Sequence, residues 1–152
     1  MSRFRTVAWI VAAGLGLALG IASAAASAGS PVEARQAAMK ELGLSMKGAG
    51  AYMAPDAAYD AAKVKALMDT MAADAKKLKN LFPADSASDP KTAADPKVWQ
   101  DKADFNKHLA ALGAAAAAAA KAKDTDAFKP AFKAVGETCK ACHDVYRMKK
   151  KT

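Results

Sequence analysis

Alanine dominates this chain and restricts the folds that it can adopt. Of the 152 residues, 42 are alanine, whereas Phe, Trp and Tyr together make up 7% of the sequence. Alanine loses no side-chain entropy in a helix, so this composition favours helices and argues against a β-sandwich or a β-barrel. Small side chains also leave a helical core short of apolar bulk, which a large ligand between the helices would supply.

The first 28 residues have the composition of an export signal. Arg3 and Arg5 precede an apolar run from Val7 to Ile21, and small residues follow up to Ala26-Ser27-Ala28. A charged start, an apolar centre and an A-x-A end are typical of a secretory signal peptide. A retained membrane anchor is the alternative, because the segment is long enough to cross a bilayer. Its last part is rich in Ala and Ser, so we predict cleavage after residue 28 and a mature domain, residues 29–152, in the periplasm without a membrane anchor.

Signals at helix ends divide the mature domain into four amphipathic helices. Apolar residues recur every three or four positions in each, as expected when one helix face is buried. Capping residues place the helix starts at Ser30, Asp60, Asp95 and Asp124. The helices are expected to end at Pro55, at Asn80, after the alanine run 114–120 and at the C-terminal lysines. The connections are mostly short, which predicts an all-α fold, an antiparallel four-helix bundle.

One motif near the end of the chain indicates a site where a cofactor is attached. Cys139-Lys140-Ala141-Cys142-His143 is C-x-x-C-H, the attachment signature of haem c. Residues three and four apart share one helix face, so both thiols and the imidazole can meet one flat macrocycle. The thiols add to the haem vinyl groups as thioethers, and His143 becomes a ligand of the iron.

Three other uses of this motif are weaker. A thioredoxin-type pair needs a βαβ context, which the sequence does not suggest. A zinc site needs a fourth ligand, for which only the distant His108 is available. A disulfide within the motif would be strained and would give His143 no role. His108 lies in mid-helix beside the apolar stripe, and we predict that it is a surface residue.

The distribution of charge and the lack of certain motifs argue against two classes of function. The formal net charge is +8, but the lysines are spread along the chain with few aromatic residues between them, and no nucleic-acid motif is present. We therefore expect no binding to nucleic acid, and a basic surface that at most steers an acidic protein partner. The sequence also lacks a hydrolytic triad or paired carboxylates, so we expect no enzyme activity.

At several places the sequence resembles the class II cytochromes c, the family that includes cytochrome c′. The matching segments are Arg35-Gln36, Leu81-Phe82-Pro83, Pro96-Lys97-Val98-Trp99 and the run from Cys139 to Arg147. A haem motif close to the C-terminus is the specific part of this resemblance. The resemblance implies a four-helix bundle that encloses one covalently attached haem c and is commonly a homodimer.

The same resemblance implies roles for several residues. Cys139 and Cys142 would hold the haem, and His143 would be its proximal ligand. Two further segments would lie beside it, namely Arg35-Gln36, where the guanidinium can pair with a propionate, and Arg147, next to the proximal imidazole. The alternatives are a surface salt bridge for Arg35, for example with Glu33, and compensation of the helix dipole for Arg147.

The iron position opposite His143 separates two functions within the family. Members that bind NO and CO leave it empty, whereas their low-spin relatives place a methionine there and carry electrons. The matching residue here is Met39, four residues after Arg35. A thioether on the iron raises the reduction potential and suits electron exchange with periplasmic redox proteins. We therefore expect a mono-haem electron carrier with His143 and Met39 as ligands, with gas binding at an open haem face as the alternative and packing as the other role for Met39.

Overall fold

The computed structural model of the protein describes residues 29–149, and the predicted signal peptide lies outside the described residues. Every element within this range is helical, apart from an isolated β-bridge between Ala94 and Arg147. The helices are α1 (Pro31–Gly50), α2 (Ala61–Leu78), α3 (Lys97–Gln100), α4 (Lys102–Ala119) and α5 (Thr125–Tyr146), with short 3₁₀ turns at Ala51–Met53 and Ala84–Ser86.

Side-chain caps confirm the predicted helix starts at Ser30, Asp60 and Asp124, and at the fourth start the Asp95 carboxylate accepts a bond from the Lys97 N–H at 3.0 Å. At α1 the Ser30 side chain accepts a bond from the Glu33 N–H at 3.2 Å, and the Glu33 carboxylate accepts one from the Ser30 N–H at 3.1 Å. Asp60 caps α2 and Asp124 caps α5 with bonds to backbone N–H groups of the first turn. Such caps bind N–H groups that have no partner inside the helix. These helix starts are therefore determined locally.

The prediction of one continuous third helix from Asp95 is wrong. The four-residue α3 ends at Gln100, and α4 begins again at Lys102. Between them Asp101 leaves helical geometry, and its carboxylate accepts a bond from the Asp104 N–H at 2.9 Å. An aspartate side chain competes with the helical backbone for N–H groups, which favours a new helix start over continuation.

The four long helices form the antiparallel bundle that was predicted. In chain order α1 packs on α2, α2 on α4 and α4 on α5. Their shared core contains the apolar side chains buried most completely, among them Val64, Met68, Met71, Leu78, Val98, Phe128 and Val135. The first and last helices meet at one end, where a Cβ atom placed on Gly50 would lie 3.8 Å from the ring of Phe132. No helix in the range 29–149 is long and apolar enough to cross a membrane.

Two glycines in helix interiors differ in the space around them. A Cβ atom on Gly136 in α5 would meet nothing within 4 Å, whereas one on Gly48 in α1 would lie 3.2 Å from Cδ1 of Leu67. Glycine costs a helix interior roughly 0.5–1 kcal/mol relative to alanine. We expect Gly136→Ala to raise the free energy of unfolding by about that amount in a denaturant titration. Gly48→Ala is the matched comparison and should gain less, because Leu67 has to move.

Candidate functional site

A cavity of about 540 Å³ lies between α1 on one side and α4 and α5 on the other. Most of the side chains around it are apolar, including Leu42, Met46, Phe82, Phe105, Leu109 and Leu112. A pocket of this size and character is typical of sites for small molecules and cofactors. It supplies the space that the alanine-rich composition led us to expect.

The predicted attachment motif lines this cavity from α5. Cys139 and Cys142 are half-buried, and His143 lies beside them at the rim. Burial raises the pKa of Cys139. It also raises the pKa of Cys142 to about 11, with Cys139 and Asp104 adding to the effect. Thiols of redox-active C-x-x-C pairs have lowered pKa values, so the surroundings of these two argue against a thioredoxin-type role.

The surroundings of the His143 imidazole favour its neutral form. Burial lowers its pKa, the positive charge of Arg147 lowers it further, and Asp144 acts in the opposite direction. The neutral form of histidine is the one that binds a metal ion. The site therefore favours the protonation state that ligation requires.

Met39 lines the cavity from α1, on the opposite wall. Gly50 of α1 lies close to Phe132 of α5, since a Cβ atom on Gly50 would be 3.8 Å from the Phe132 ring, and this proximity relates the heights of the two antiparallel helices. Met39 is eleven residues before Gly50, and His143 is eleven residues after Phe132. Both helices rise about 1.5 Å per residue, so Met39 and His143 are at the same height to within about one turn. Met46 also lines the cavity, but it is two turns further along α1, at the height of Gly136.

Arg35 is buried, with 4% of its surface exposed, and it binds the loop between α2 and α3. Its two Nη atoms donate to Ser86 Oγ at 2.8 Å and Thr92 Oγ1 at 2.6 Å, and also to the carbonyl groups of Leu81 and Ser86. The guanidinium lies 5.0 Å from the ring centre of Phe82. Arg35 therefore holds this loop against α1 and also forms part of the cavity wall. Its pairing with a haem propionate stays a prediction.

Replacing this guanidinium tests how much its hydrogen bonds to the loop stabilise the fold. Arg35→Lys keeps the charge but cannot reproduce the fork of donors, so most of the four bonds are lost. Because bonds to charged groups contribute about 1.5–3 kcal/mol each and are not additive, we expect a loss of roughly 2–4 kcal/mol in chemical denaturation. Gln36→Ala is the control, since exposed Gln36 makes one bond to this loop, from Nε2 to the Lys91 carbonyl at 3.0 Å. If Arg35→Lys lowers the free energy of unfolding no more than Gln36→Ala does, the stabilising role of the Arg35 bonds is contradicted.

Arg147 follows the last residue of α5 and also lines the cavity. Its N–H donates to the carbonyl of His143 at 3.3 Å. On either side of it the chain is bonded to the loop before α3: Asp95 N–H donates to the Tyr146 carbonyl, and Met148 N–H to the Ala93 carbonyl, both at 2.9 Å. The end of the helix that carries the motif is therefore held in place by backbone bonds.

The prediction that His108 is a surface residue is wrong. Its side chain is 26% exposed and lines the cavity. Its ring packs against Tyr146 at 5.5 Å, and its Nε2 lies 3.5 Å from Oδ2 of Asp104. The Tyr146 hydroxyl donates to the same oxygen at 2.7 Å, and burial together with Asp104 raises the pKa of Tyr146 to about 12. In the sequence, only the position of Tyr146 four residues after Cys142 indicates that it shares a helix face with the motif.

The residues around the cavity fit a covalently attached haem. Two thiols and an imidazole approach from α5, a thioether from α1, and the remaining wall is mainly apolar. Between residues 29 and 149 no three His, Cys, Asp or Glu side chains converge to hold a metal ion by themselves.

Comparison with known proteins identifies the family. The family model described as Cytochrome C′ matches residues 30–147. The chain is 39% identical to a cytochrome c′ of Rhodopseudomonas palustris over 97% of both chains, and 35% identical to a cytochrome c-556 of Agrobacterium fabrum over 86% of this chain and 89% of that one. A solved cytochrome c′ from Rhodopseudomonas palustris superposes with a TM-score of 0.75 at 40% identity, covering 81% of this chain and 99% of that one. The protein thus belongs to the cytochrome c′ family, whose members carry a covalently attached haem c.

Proposed function

We propose that this haem c cytochrome is a periplasmic carrier of single electrons in which Cys139 and Cys142 hold the haem, and His143 and Met39 are the iron ligands. The observation that supports the proposal is that Met39 and His143 line the same cavity from α1 and α5, at the same height to within about one turn. When bound, the haem supplies a one-electron Fe(III)/Fe(II) couple. With both His143 and Met39 bound, the coordination would stay the same in the two states, which would favour rapid transfer.

The protein around the haem would support this role. Leu42, Leu109 and Leu112 surround the site with hydrocarbon, which limits water around the iron. Arg35 and Gln36 at one end of the cavity would face the propionates, and Arg147 would lie beside the proximal imidazole. The periplasmic location in this proposal is supported by the signal-peptide pattern of residues 1–28, because cytochromes with haem c are assembled after export.

Gas binding is the second candidate. It is supported by similarity to the cytochromes c′, since the nitric oxide complex of a mutant cytochrome c′ from Alcaligenes xylosoxidans is among the similar solved structures. In that case Met39 would pack in the wall, and the iron would keep an open position for NO or CO. We also propose a homodimer, because one similar solved cytochrome c′ shows a ligand-controlled dimer dissociation.

Absorption spectra of the purified holoprotein decide between the two functions. With Met39 on the iron, the ferric protein should be low-spin with the weak near-infrared sulfur-to-iron band, and the ferrous protein should bind CO slowly or not at all. A high-spin ferric spectrum and rapid CO binding would reject the carrier and leave gas binding. The mass of the denatured protein, measured in parallel, should equal that of the chain from Gly29 plus one haem.

A further inference from the structure

The cavity opens to solvent between α1 and α5. Some of the residues that line it are exposed, and these belong to the two helices or lie directly beside them: Gln36, Lys40, Gly43, Ala93, His143 and Arg147. The wall formed by α4 is buried, apart from the quarter of His108 that solvent reaches. A molecule that approached this mouth would come closest to the edge of whatever fills the cavity.

The mouth is positively charged. Arg35, Lys40 and Arg147 line the cavity, and no carboxylate between residues 29 and 149 does. Lys149 lies next to Arg147 on an adjoining shallow depression. The acidic residue of that depression, Asp144, is paired with Lys140. In the part of the chain that the structure describes, the exposed ammonium and guanidinium groups of Lys40, Lys149 and Arg147 make no ion pair.

Exposed apolar side chains stand beside these cations. Leu44 follows Gly43 in the sequence, is one turn from Lys40 on the outer face of α1, and is 53% exposed. Met148 follows Arg147, lines the shallow depression and is 42% exposed. They are two of the three large hydrophobic residues that are exposed between residues 29 and 149. Methionine and arginine are enriched in protein interfaces, so the surface combines apolar contact area with a charged border.

We propose that the rim formed by Lys40, Gly43, Leu44, Arg147, Met148 and Lys149 is the docking surface for an acidic redox protein. The inference rests on the proposed carrier function and names its partner by chemistry: a protein with carboxylates around an exposed apolar patch and the edge of its own cofactor. One electron leaves the reduced partner, which is oxidised, and reduces this protein, while no bond forms or breaks. Unlike charges steer such encounters and speed association.

The first test maps anion binding on the ferric holoprotein. Hexacyanochromate(III) is paramagnetic and redox-inert, so it broadens the NMR signals of amide groups near the sites where it binds. We expect broadening around Lys40, Gly43 and Lys149, and little around Lys76 on α2 or Lys121 after α4. Uniform broadening over the surface, or a maximum elsewhere, would overturn the proposal.

The second test measures electron transfer from the ferrous holoprotein. Lys40→Glu/Lys149→Glu should slow oxidation by anionic hexacyanoferrate(III) about tenfold at low ionic strength, and speed oxidation by cationic tris(phenanthroline)cobalt(III). The control Lys76→Glu/Lys121→Glu has the same net charge and should change either rate less than about twofold. Salt should remove the difference, because the Debye length falls to about 3 Å at 1 M.

Two results would contradict the docking surface. Equal rate changes in both double variants would show that only net charge matters. Loss of haem or an altered reduction potential in the rim variant, with an unchanged anion map, would assign these cations to the haem propionates instead. The proposed function is judged separately, because the spectrum of each variant reports whether Met39 is on the iron, whereas the anion map involves no electron transfer.

Discussion

Met39→Ala should convert the ferric protein from low-spin to high-spin and open it to CO. The substitution removes the thioether at the height of His143 and leaves His143 and both thiols in place. The near-infrared sulfur-to-iron band should disappear, and the reduction potential should fall, because a methionine ligand favours the ferrous state. Spectra with and without CO, together with a redox titration, check these results.

Met46→Ala is the matched control for this experiment. Met46 is on the same helix, lines the same cavity and is also partly buried, but it is two turns away from the height of His143. Both substitutions remove a similar apolar volume from the cavity wall, and Met39→Ala additionally removes the bond to the iron. Only Met39→Ala should change the spin state. An unchanged low-spin spectrum in Met39→Ala would show that another group binds the iron opposite His143. His108, which also lines the cavity, is the next candidate.

A protein that cannot attach haem should lose its cooperative fold. In Cys139→Ala/Cys142→Ala the cavity of about 540 Å³ is left without its covalently held occupant. The cavity opens to solvent, so without haem its apolar walls are in contact with water and lose the stabilisation of burial, about 25 cal/mol for each Å². The total stability of a small domain is only about 5–15 kcal/mol, so this loss affects a large part of it. We expect a broad thermal transition and binding of hydrophobic dyes.

His143→Ala is the control for the loss of haem. It removes a ligand from the iron but keeps both thiols, so the haem stays attached and fills the cavity. This variant should keep a sharp thermal transition with an altered visible spectrum. A sharp transition in the haem-free double variant would contradict the dependence of the fold on the cofactor.

Local signals made most of the fold predictable. The caps at Ser30, Asp60 and Asp124 bind N–H groups within three residues, so they can be found in the sequence itself. The break at Asp101 was missed because Asp95-Pro96 already matches the pattern of a helix start a few residues earlier. Neither a glycine nor a proline marks the start of α4. The spacing of C-x-x-C-H likewise predicted which side chains share the α5 wall of the cavity.

Contacts between residues far apart in the chain could not be predicted from the sequence. Arg35 is buried because Ser86 and Thr92, 51 and 57 residues away, accept its bonds, and no local pattern reports those partners. His108 lines the cavity because Tyr146 and Asp104 pack beside it across two helices. Charge predicted a basic surface in general, but only the structure shows that Arg35, Lys40 and Arg147 line one cavity together.

The order of the helices has a consequence for how this bundle forms. Helical bundles fold fast because most of their contacts join residues close in sequence, and the pairs α1 with α2 and α4 with α5 fit that rule. The α1 and α5 walls of the cavity, however, come from opposite ends of the chain and face each other at Met39 and His143. Bringing such distant segments together costs loop-closure entropy before any contact compensates for it. We expect closure of α1 over α5 to be the last step of folding, and the hydrogen exchange of α1 to be the fastest among the four long helices.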